Sequence, residues 1–348
     1  MSNLQVQLIK KPDAKYPRVN DVFQVKTAST PTVNQLKDGE VLLENLYFSI
    51  DATMRVWISG AKTYVDPVLP GNTMFGQAVS RVLASKSEKF QKGDYVIGLV
   101  NWTLYQIISD AKLHLIKRGG DIDDLTGYSF LGPLGISGLT AYIGFEAIGK
   151  PKEGETVVIS AAAGAVGEIA VQLAKTYYKC KVIGIAGGPE KCDYVKKQLG
   201  AHDCIDYKNE NLSKRLRELT PNGIHVYFDN VGGEMLDEIL MHITDHTRII
   251  LCGAIATYNQ TGEPYKVKNY PRLIIKRAVM QGFLYFDHPE LFKPGQATIT
   301  QMIKQGQLKI RYDVQNGLEQ APNGLAKLLL GQNNGKVVVK AKSDQPKL

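Results

Sequence analysis

The stretch Thr156-Val-Val-Ile-Ser-Ala-Ala-Ala-Gly-Ala-Val-Gly167 constrains this chain most, because an apolar run breaks into small residues and then resumes with helical spacing. A strand from Thr156 to Ser160 delivers the chain to a tight turn. There Gly164 lets backbone approach a ligand closely and Gly167 lets the next helix pack against the sheet. The start of that helix presents N–H groups to an anion. Val166, Ile169, Ala170 and Leu173 fall at i, i+3, i+4 and i+7, which predicts an amphipathic helix with one face on a parallel sheet. Ala161 stands where the dinucleotide fingerprint carries its first glycine, so the motif is incomplete; the flanking strand and helix supply the context it requires. A purely structural glycine turn is the competing reading.

The following strand bears on which dinucleotide such a turn would hold. Lys181 to Ala186 reads as a strand that ends in Gly187-Gly188-Pro189-Glu190-Lys191. An NAD site carries Asp or Glu at this tip to accept from the ribose 2′-hydroxyl. Without that acid, a 2′-phosphate meets no like charge and has Lys191 within reach, which favours NADP(H). Glu190 argues the other way, and Lys191 can equally be read as a solvated lysine in a first helical turn.

At 348 residues the chain is long enough for two domains, and it has no apolar run of membrane-spanning length. Its amino terminus is too short in its apolar stretch for a signal peptide and reads as a first strand. Cys180, Cys192, Cys204 and Cys252 include no Cys-x-x-Cys pair, so neither a disulfide framework nor a thiolate zinc site is indicated. Reduced thiols in the cytoplasm are expected. The terminal Pro-Lys-Leu348 differs by one residue from the peroxisomal Ser-Lys-Leu signal, which makes the peroxisome the alternative. The net charge of +8 is spread along the chain. It suits an anionic cofactor or substrate and gives no reason to expect nucleic acid or a membrane as partner.

Periodicity divides the chain. Up to about residue 125 it reads as short strands, Val41 to Ile50, Gly76 to Ser85, Tyr95 to Leu99 and Leu104 to Ser109, separated by turn residues such as Pro70-Gly71 and Gly93-Asp94. From Thr156 strands alternate with helices: a helix near Lys191 to Leu199, strand Cys204 to Tyr207, helix Leu212 to Leu219, strand Val226 to Asn230, a helix after Gly233, and strand Arg248 to Cys252. Such alternation predicts right-handed crossovers and a doubly wound parallel sheet. A helix near Gln296 to Gln305 precedes strand Leu308 to Val314, a short helix near Leu325 to Leu330, and a last strand Lys336 to Lys340. We expect a discontinuous first domain, 1–125 with 306–348, a nucleotide domain, 126–305, and a cleft between them.

With Leu139-Thr140-Ala141-Tyr142 just ahead of the glycine turn, this order resembles the medium-chain dehydrogenase/reductase superfamily. Ser49-Ile-Asp-Ala-Thr-Met-Arg55, Tyr227-Phe-Asp-Asn-Val-Gly-Gly233, Cys252-Gly-Ala-Ile-Ala-Thr-Tyr-Asn259 and Asn333-Asn-Gly-Lys336 are similar to strings of its prostaglandin reductase and alkenal double-bond reductase branch. The resemblance implies an α/β fold, with a Rossmann doubly wound domain beside a GroES-like, mainly β barrel domain, and a homodimer. It places NADP(H) contacts on Ala163, Gly164, Ala165 and Val166, beside Gly167 of the same turn, and on Lys191, Tyr207 and Asn230. Further contacts fall on the segment Cys252, Gly253, Ala254, Ile255 to Tyr258, on Phe283, Leu284 and Tyr285, and on Asn333. Tyr258 matches a tyrosine often assigned a catalytic role.

Zinc-dependent relatives carry a Gly-His-Glu signature and a ligand cysteine, where this chain has Phe75-Gly76-Gln77 and Ser49-Ile50-Asp51. No zinc ligand set can be assembled from the sequence. His242 and His246 have i, i+4 spacing and are expected on the face of a surface helix. Without a Lewis acid the chemistry turns to substrates already activated by conjugation. The expected reaction is NADPH-dependent reduction of the carbon–carbon double bond of an α,β-unsaturated aldehyde or ketone, of the 2-alkenal or 15-oxoprostaglandin type. The Tyr258 hydroxyl and the cofactor's ribose hydroxyl are the candidate donors to the developing enolate. A ribose or packing contact is the other reading of Tyr258. In the substrate string, Thr53 replaces a family aromatic, and Trp57 and Tyr64 are read either as entrance or as core. The family's proline-rich loop is thinned here to residues 259–265. A quinone reductase and a non-catalytic NADPH-binding regulator are the rival functions.

Overall fold

The computed structural model describes residues 2–12, 19–259, 263 and 265–342. They fold into two compact units, Met1–Leu131 with Tyr312–Leu348, and Gly132–Arg311.

The first unit begins with β1 (Asn3–Leu8), β2 (Phe23–Ala28), β3 (Glu40–Ser49), β4 (Phe75–Ser85), β5 (Tyr95–Asn101), β6 (Tyr105–Ser109) and β7 (Leu113–Lys117). β1 pairs antiparallel with β2. The second unit supplies β8 (Thr156–Ser160), β9 (Lys181–Ala186), β10 (Asp203–Asp206), β11 (Ile224–Asp229), β12 (Ile243–Leu251) and β13 (Val279–Gly282). The chain then re-enters the first unit with β14 (Tyr312–Asn316) and β15 (Lys336–Lys340), completing a sheet of order β14-β15-β3-β4-β5-β7, with β6 paired to β3. Most pairs in that sheet are antiparallel, and β14 runs parallel to β15.

The second unit's sheet is parallel throughout, in the order β10-β9-β8-β11-β12-β13. Every residue of β8 is buried, as expected for a central parallel strand covered on both faces. Strand order reverses direction between β8 and β11. Beyond the carboxyl ends of those two strands lies the crevice in which open α/β sheets hold their ligands.

Four details differ from the sequence expectation. Residue 125 falls inside the helix Asp124–Leu131, whose Tyr128 and Leu131 pack with Tyr47, Val79 and Val338, so this helix goes with the first unit. The helix Gly167–Gln172 is buried on all sides, not amphipathic: Glu168 is 0% and Gln172 2% exposed. Both polar side chains find internal partners. Tyr194 Oη donates to Glu168 Oε2 at 2.8 Å, and the Gln172 amide pairs with Lys309, donating to its O at 2.8 Å and accepting from its N at 2.7 Å. The third difference lies at that clasp: Lys309 gives both its backbone N–H and its O to the Gln172 side chain, and the strand starts only at Tyr312. Finally, neither histidine of the i, i+4 pair lies on a helix. His242 lies in a bend, paired at 2.9 Å with Glu238, and His246 lies in β12 with a φ of 61°.

Candidate functional site

The turn after β8 is tight because three of its residues have no room to be otherwise. Ala161, in place of the first fingerprint glycine, takes a φ of 47°, a left-handed conformation that glycine adopts without cost. A Cβ on Gly167 would lie 2.2 Å from the Ala161 carbonyl oxygen, and one on Gly164 would lie 3.1 Å from it. Ala163 is buried, whereas Gly164, Ala165 and Val166 are partly exposed on the way into the helix. This is the shape a pyrophosphate cradle requires.

Beside it, hydrogen bonds lock the ends of β8, β11 and β12. Ser160 Oγ donates to Asp229 Oδ1 at 3.2 Å and accepts from Asn230 N at 2.9 Å, while Asn230 Nδ2 donates to Ser160 O at 2.7 Å. Asp229 Oδ1 also accepts from Tyr227 Oη and from the N–H groups of Val231 and Gly232, at 2.9–3.0 Å. Cys252 N and Gly253 N both donate to Asp229 O, and Ala256 N to Val231 O. Burial pushes the Asp229 carboxyl above its usual range. Burial, followed by the Asp229 charge, pushes the Cys252 thiol up to about 12, so this sulfur is no nucleophile at neutral pH.

A cavity of about 430 Å³ opens at these strand ends, with Asp229, Gly232, Cys252, Ala254, Tyr258 and Tyr265 in its wall. Tyr258, in the single helical turn Ile255–Tyr258, accepts from Ala254 N at 3.4 Å. Gly253 lies against that hydroxyl, where a Cβ would be in ordinary contact at 3.6 Å. The thinned loop has residues 260–262 and 264 outside the described set. Its far end is fixed by the buried Asp237, which accepts from Tyr265 Oη, Lys268 N and Asn269 N at 2.8–2.9 Å.

At the other end of the crevice, β9 runs into Gly187 and Gly188, the latter with a φ of 98°, and Pro189 starts the helix Pro189–Lys197. Gly188 N donates to Asp206 Oδ1 at 2.8 Å; Lys208 N and Asn209 Nδ2 bond the same carboxylate. The nearby Asp206 carboxylate is thereby committed to two backbone N–H groups and the Asn209 amide. Lys191 is partly buried, with its pKa lowered first by burial and then by Lys208 and Arg311. Arg311 lies flat on Tyr194, its Cζ 3.3 Å from the ring centroid. Tyr207 and Lys208 cover Gly187, where a Cβ would meet them at 3.0 and 2.9 Å. Lys191, Lys208 and Arg311 lie close enough to act on one another here, with Glu190 the acid beside them; such a cluster of cations is what a phosphate monoester needs. Sequence reasoning named Lys191 and Tyr207 for this region and did not name Lys208 or Arg311. Lys208 follows Tyr207 directly, but Arg311 has no local signature.

Phe283, Leu284 and Tyr285 follow β13; Phe283 and Tyr285 pack on the core, and Tyr285 stacks on Phe292 at 5.8 Å. Asn333 belongs to the first unit, buried, with Nδ2 donating to Gly335 O at 2.8 Å. In that unit the buried Lys336 reaches Asp51 Oδ1 at 2.5 Å and Ile50 O at 3.2 Å, joining the Asn333 and Ser49 strings. Trp57 is core, stacked on Phe75 at 5.0 Å, whereas Tyr64 is exposed and bonded to Thr53.

Residues 5–116 match the family described as the N-terminal domain of oxidoreductase, and residues 165–302 the one described as zinc-binding dehydrogenase. Among the described residues no three His, Cys, Asp or Glu side chains gather as a metal site. A 2-alkenal reductase (NADP(+)-dependent) of Nicotiana tabacum is 39% identical over 341 residues, 97% of each chain. Prostaglandin reductase 1 of Bos taurus is 38% identical over 336 residues, 96% of this chain and 98% of that one. The crystal structure of CurA in complex with NADPH from Vibrio vulnificus superposes with a TM-score of 0.90 at 38% identity, covering 99% of this chain and 100% of that one.

Proposed function

Because the chain belongs to the medium-chain dehydrogenase/reductase superfamily, in its zinc-independent prostaglandin and alkenal reductase branch, we propose that it uses NADPH to reduce the carbon–carbon double bond of α,β-unsaturated aldehydes and ketones. It is an NADP-dependent oxidoreductase acting on such bonds. Within that class we propose linear 2-alkenals as substrates, with 15-oxoprostaglandins as the second candidate. The observation that carries the reading is the Tyr258 hydroxyl in the wall of a largely apolar cavity at the strand ends.

The residues present fit the cofactor. The turn Ala163–Gly167 has the close approach a pyrophosphate needs, and Lys191, Lys208 and Arg311 offer positive charge for the 2′-phosphate. When bound, NADPH supplies the hydride for the β-carbon of the enone. The chain's own part is to stabilise the negative charge that develops on the substrate carbonyl oxygen. We assign Tyr258 Oη the role of donor to that oxygen; accepting from Ala254 N makes it the better donor. Water can protonate the α-carbon.

We further propose a second copy of the chain as partner and the cytoplasm as location; the Pro-Lys-Leu tripeptide behind the peroxisomal alternative lies outside the described residues. Support for the homodimer is the edge strand β13, where Val279 is 51% exposed, and the nearby Ile274 and Ile275, 76% and 59% exposed. Sedimentation should give a dimer, and a monomer would refute this.

The activity is tested by NADPH oxidation against 2-alkenals, a 15-oxoprostaglandin and quinones, with analysis of the product. Saturated carbonyl from the alkenals is expected. Turnover on quinones alone would assign a quinone reductase instead, and tight NADPH binding without oxidation would leave a non-catalytic regulator.

A further inference from the structure

Cys192 and Cys204 are twelve residues apart in sequence, and no spacing rule joins them. The fold does: their sulfurs lie 3.2 Å apart, with Cys204 donating to Cys192. Cys192 occupies the first half of the helix Pro189–Lys197, next to Lys191, and Cys204 sits in β10. Both side chains are nearly enclosed, 5% and 3% exposed. The other two cysteines stand apart from them. Cys180 donates to Lys152 O and Tyr178 O, and Cys252 is in the cavity wall.

We propose that Cys192 and Cys204 form an oxidisable dithiol, closed by peroxide to a disulfide, through which thiol oxidation loosens the hold on the 2′-phosphate of NADPH. The proposal rests on Lys191 reading that phosphate. The Cys192 thiolate attacks peroxide, forming an S–O bond as the O–O bond breaks and hydroxide leaves to take up a proton. Cys204, giving up its proton, then attacks the sulfenic sulfur; the S–S bond forms, the S–O bond breaks, and water departs. Two thiols lose two electrons and one peroxide becomes two waters. The order of attack follows from the S–H···S bond, which holds the Cys192 thiol below its ordinary pKa, whereas the same contact and burial push Cys204 up.

Closing the bond brings the sulfurs together by about 1.1 Å. The sheet side offers little give. Cys204 lies in register with Gly184 of β9, where even a Cβ would sit 3.2 Å from its sulfur and 2.7 Å from Val195. The helix start therefore has to move, and it carries Lys191 together with the Gly188 turn that Asp206 fixes. A shift of this size is enough to weaken charged hydrogen bonds, which need close geometry.

The test treats the full chain with peroxide, maps its peptides under thiol-blocking conditions, and titrates NADPH and NADH before oxidation, after it, and after reduction with dithiothreitol. The expected result is a Cys192–Cys204 linked peptide lighter by two hydrogens, loss of two of the four thiols, and a Kd for NADPH about tenfold higher, with NADH nearly unchanged and full recovery on reduction. Cys192→Ser and Cys204→Ser should each abolish the cross-link and the peroxide sensitivity while still binding NADPH when reduced. Cys204→Ala serves if the serine is not tolerated in the strand. Absence of the linked peptide would overturn the dithiol itself. A cross-link that leaves NADPH affinity unchanged, or lowers both cofactors equally, would overturn its link to the phosphate. Neither outcome bears on whether Lys191 reads the 2′-phosphate, which a Lys191 variant tests separately.

Discussion

Replacing Lys191 by alanine tests the cofactor end of the site most directly. A charged hydrogen bond contributes about 1.5–3 kcal/mol. Two features put Lys191 at the low end of that range. Its ammonium is disfavoured in the free protein, first by burial and then by Lys208 and Arg311, so deleting it relieves a cost. The two remaining cations also keep part of the attraction. Lys191→Ala should therefore weaken NADPH binding by about 1.5–2 kcal/mol, or roughly ten- to thirtyfold in Kd. NADH, which lacks the 2′-phosphate, should change less than about twofold. The assay is calorimetric titration with both cofactors at low and moderate salt, because charge attraction at a partly exposed site is screened. There is a pH signature as well. The lysine's pKa is lowered in the free protein and a bound phosphate pulls it back up, so NADPH binding should take up protons on the alkaline side. That uptake should vanish in the variant. Equal losses for NADPH and NADH would refute the assignment, as would a wild-type variant beside an Arg311→Ala protein that loses the whole preference.

Substitutions at three further positions probe the rest of the crevice. Tyr258→Phe keeps the ring and removes one oxyanion donor, so single-turnover hydride transfer to a 2-alkenal should fall about ten- to a hundredfold while NADPH affinity barely moves; a wild-type rate would reduce the hydroxyl to packing. Gly167→Ala puts a Cβ 2.2 Å from the Ala161 carbonyl oxygen, which should cost about 1–3 kcal/mol and be seen in denaturant unfolding; an unchanged midpoint would show that the turn relaxes freely. Asp229→Ala strands two N–H groups and the Tyr227 and Ser160 hydroxyls, for a loss of about 3 kcal/mol, whereas Asp229→Asn keeps an acceptor and should lose under about 1 kcal/mol. Similar stabilities for the two Asp229 variants would show that the hydrogen bonds contribute little.

What could be read from the sequence was the part specified by local pattern. The strand from Thr156 to Ser160, its turn and the alternation from Lys181 onward announce themselves in apolar period and glycine placement, and those features decide a parallel sheet. What escaped depends on distant partners. β13 is four residues, Val-Met-Gln-Gly, at a sheet edge with no alternation to betray it. Leu308 to Val314 alternates like a strand along its whole length, but the backbone of Lys309 is bonded to the Gln172 amide, a partner far away in sequence, and the strand starts only at Tyr312. Arg311 enters the site by stacking on Tyr194, and Cys192 meets Cys204 across a helix and a strand. Asp229 was in plain view within Tyr227-Phe-Asp-Asn, yet its role lies in four hydrogen bonds to one oxygen, which no motif encodes.

That oxygen also explains how weak local signals yield a defined cavity. Parallel strands leave their carboxyl ends without ladder partners, and the segments beyond them, Asn230 to Gly233 and Cys252 to Tyr258, have little regular structure of their own. Ser160 and Asp229 supply the missing bonds and tie both segments to the sheet. The same burial that makes this tie pushes the Asp229 carboxyl and the Cys252 thiol toward their neutral forms. A wall biased against charge of its own suits a reaction in which charge appears on the substrate oxygen. In such a low-dielectric setting one well-placed donor is worth more than it would be in water, and Tyr258 brings a hydroxyl to that wall.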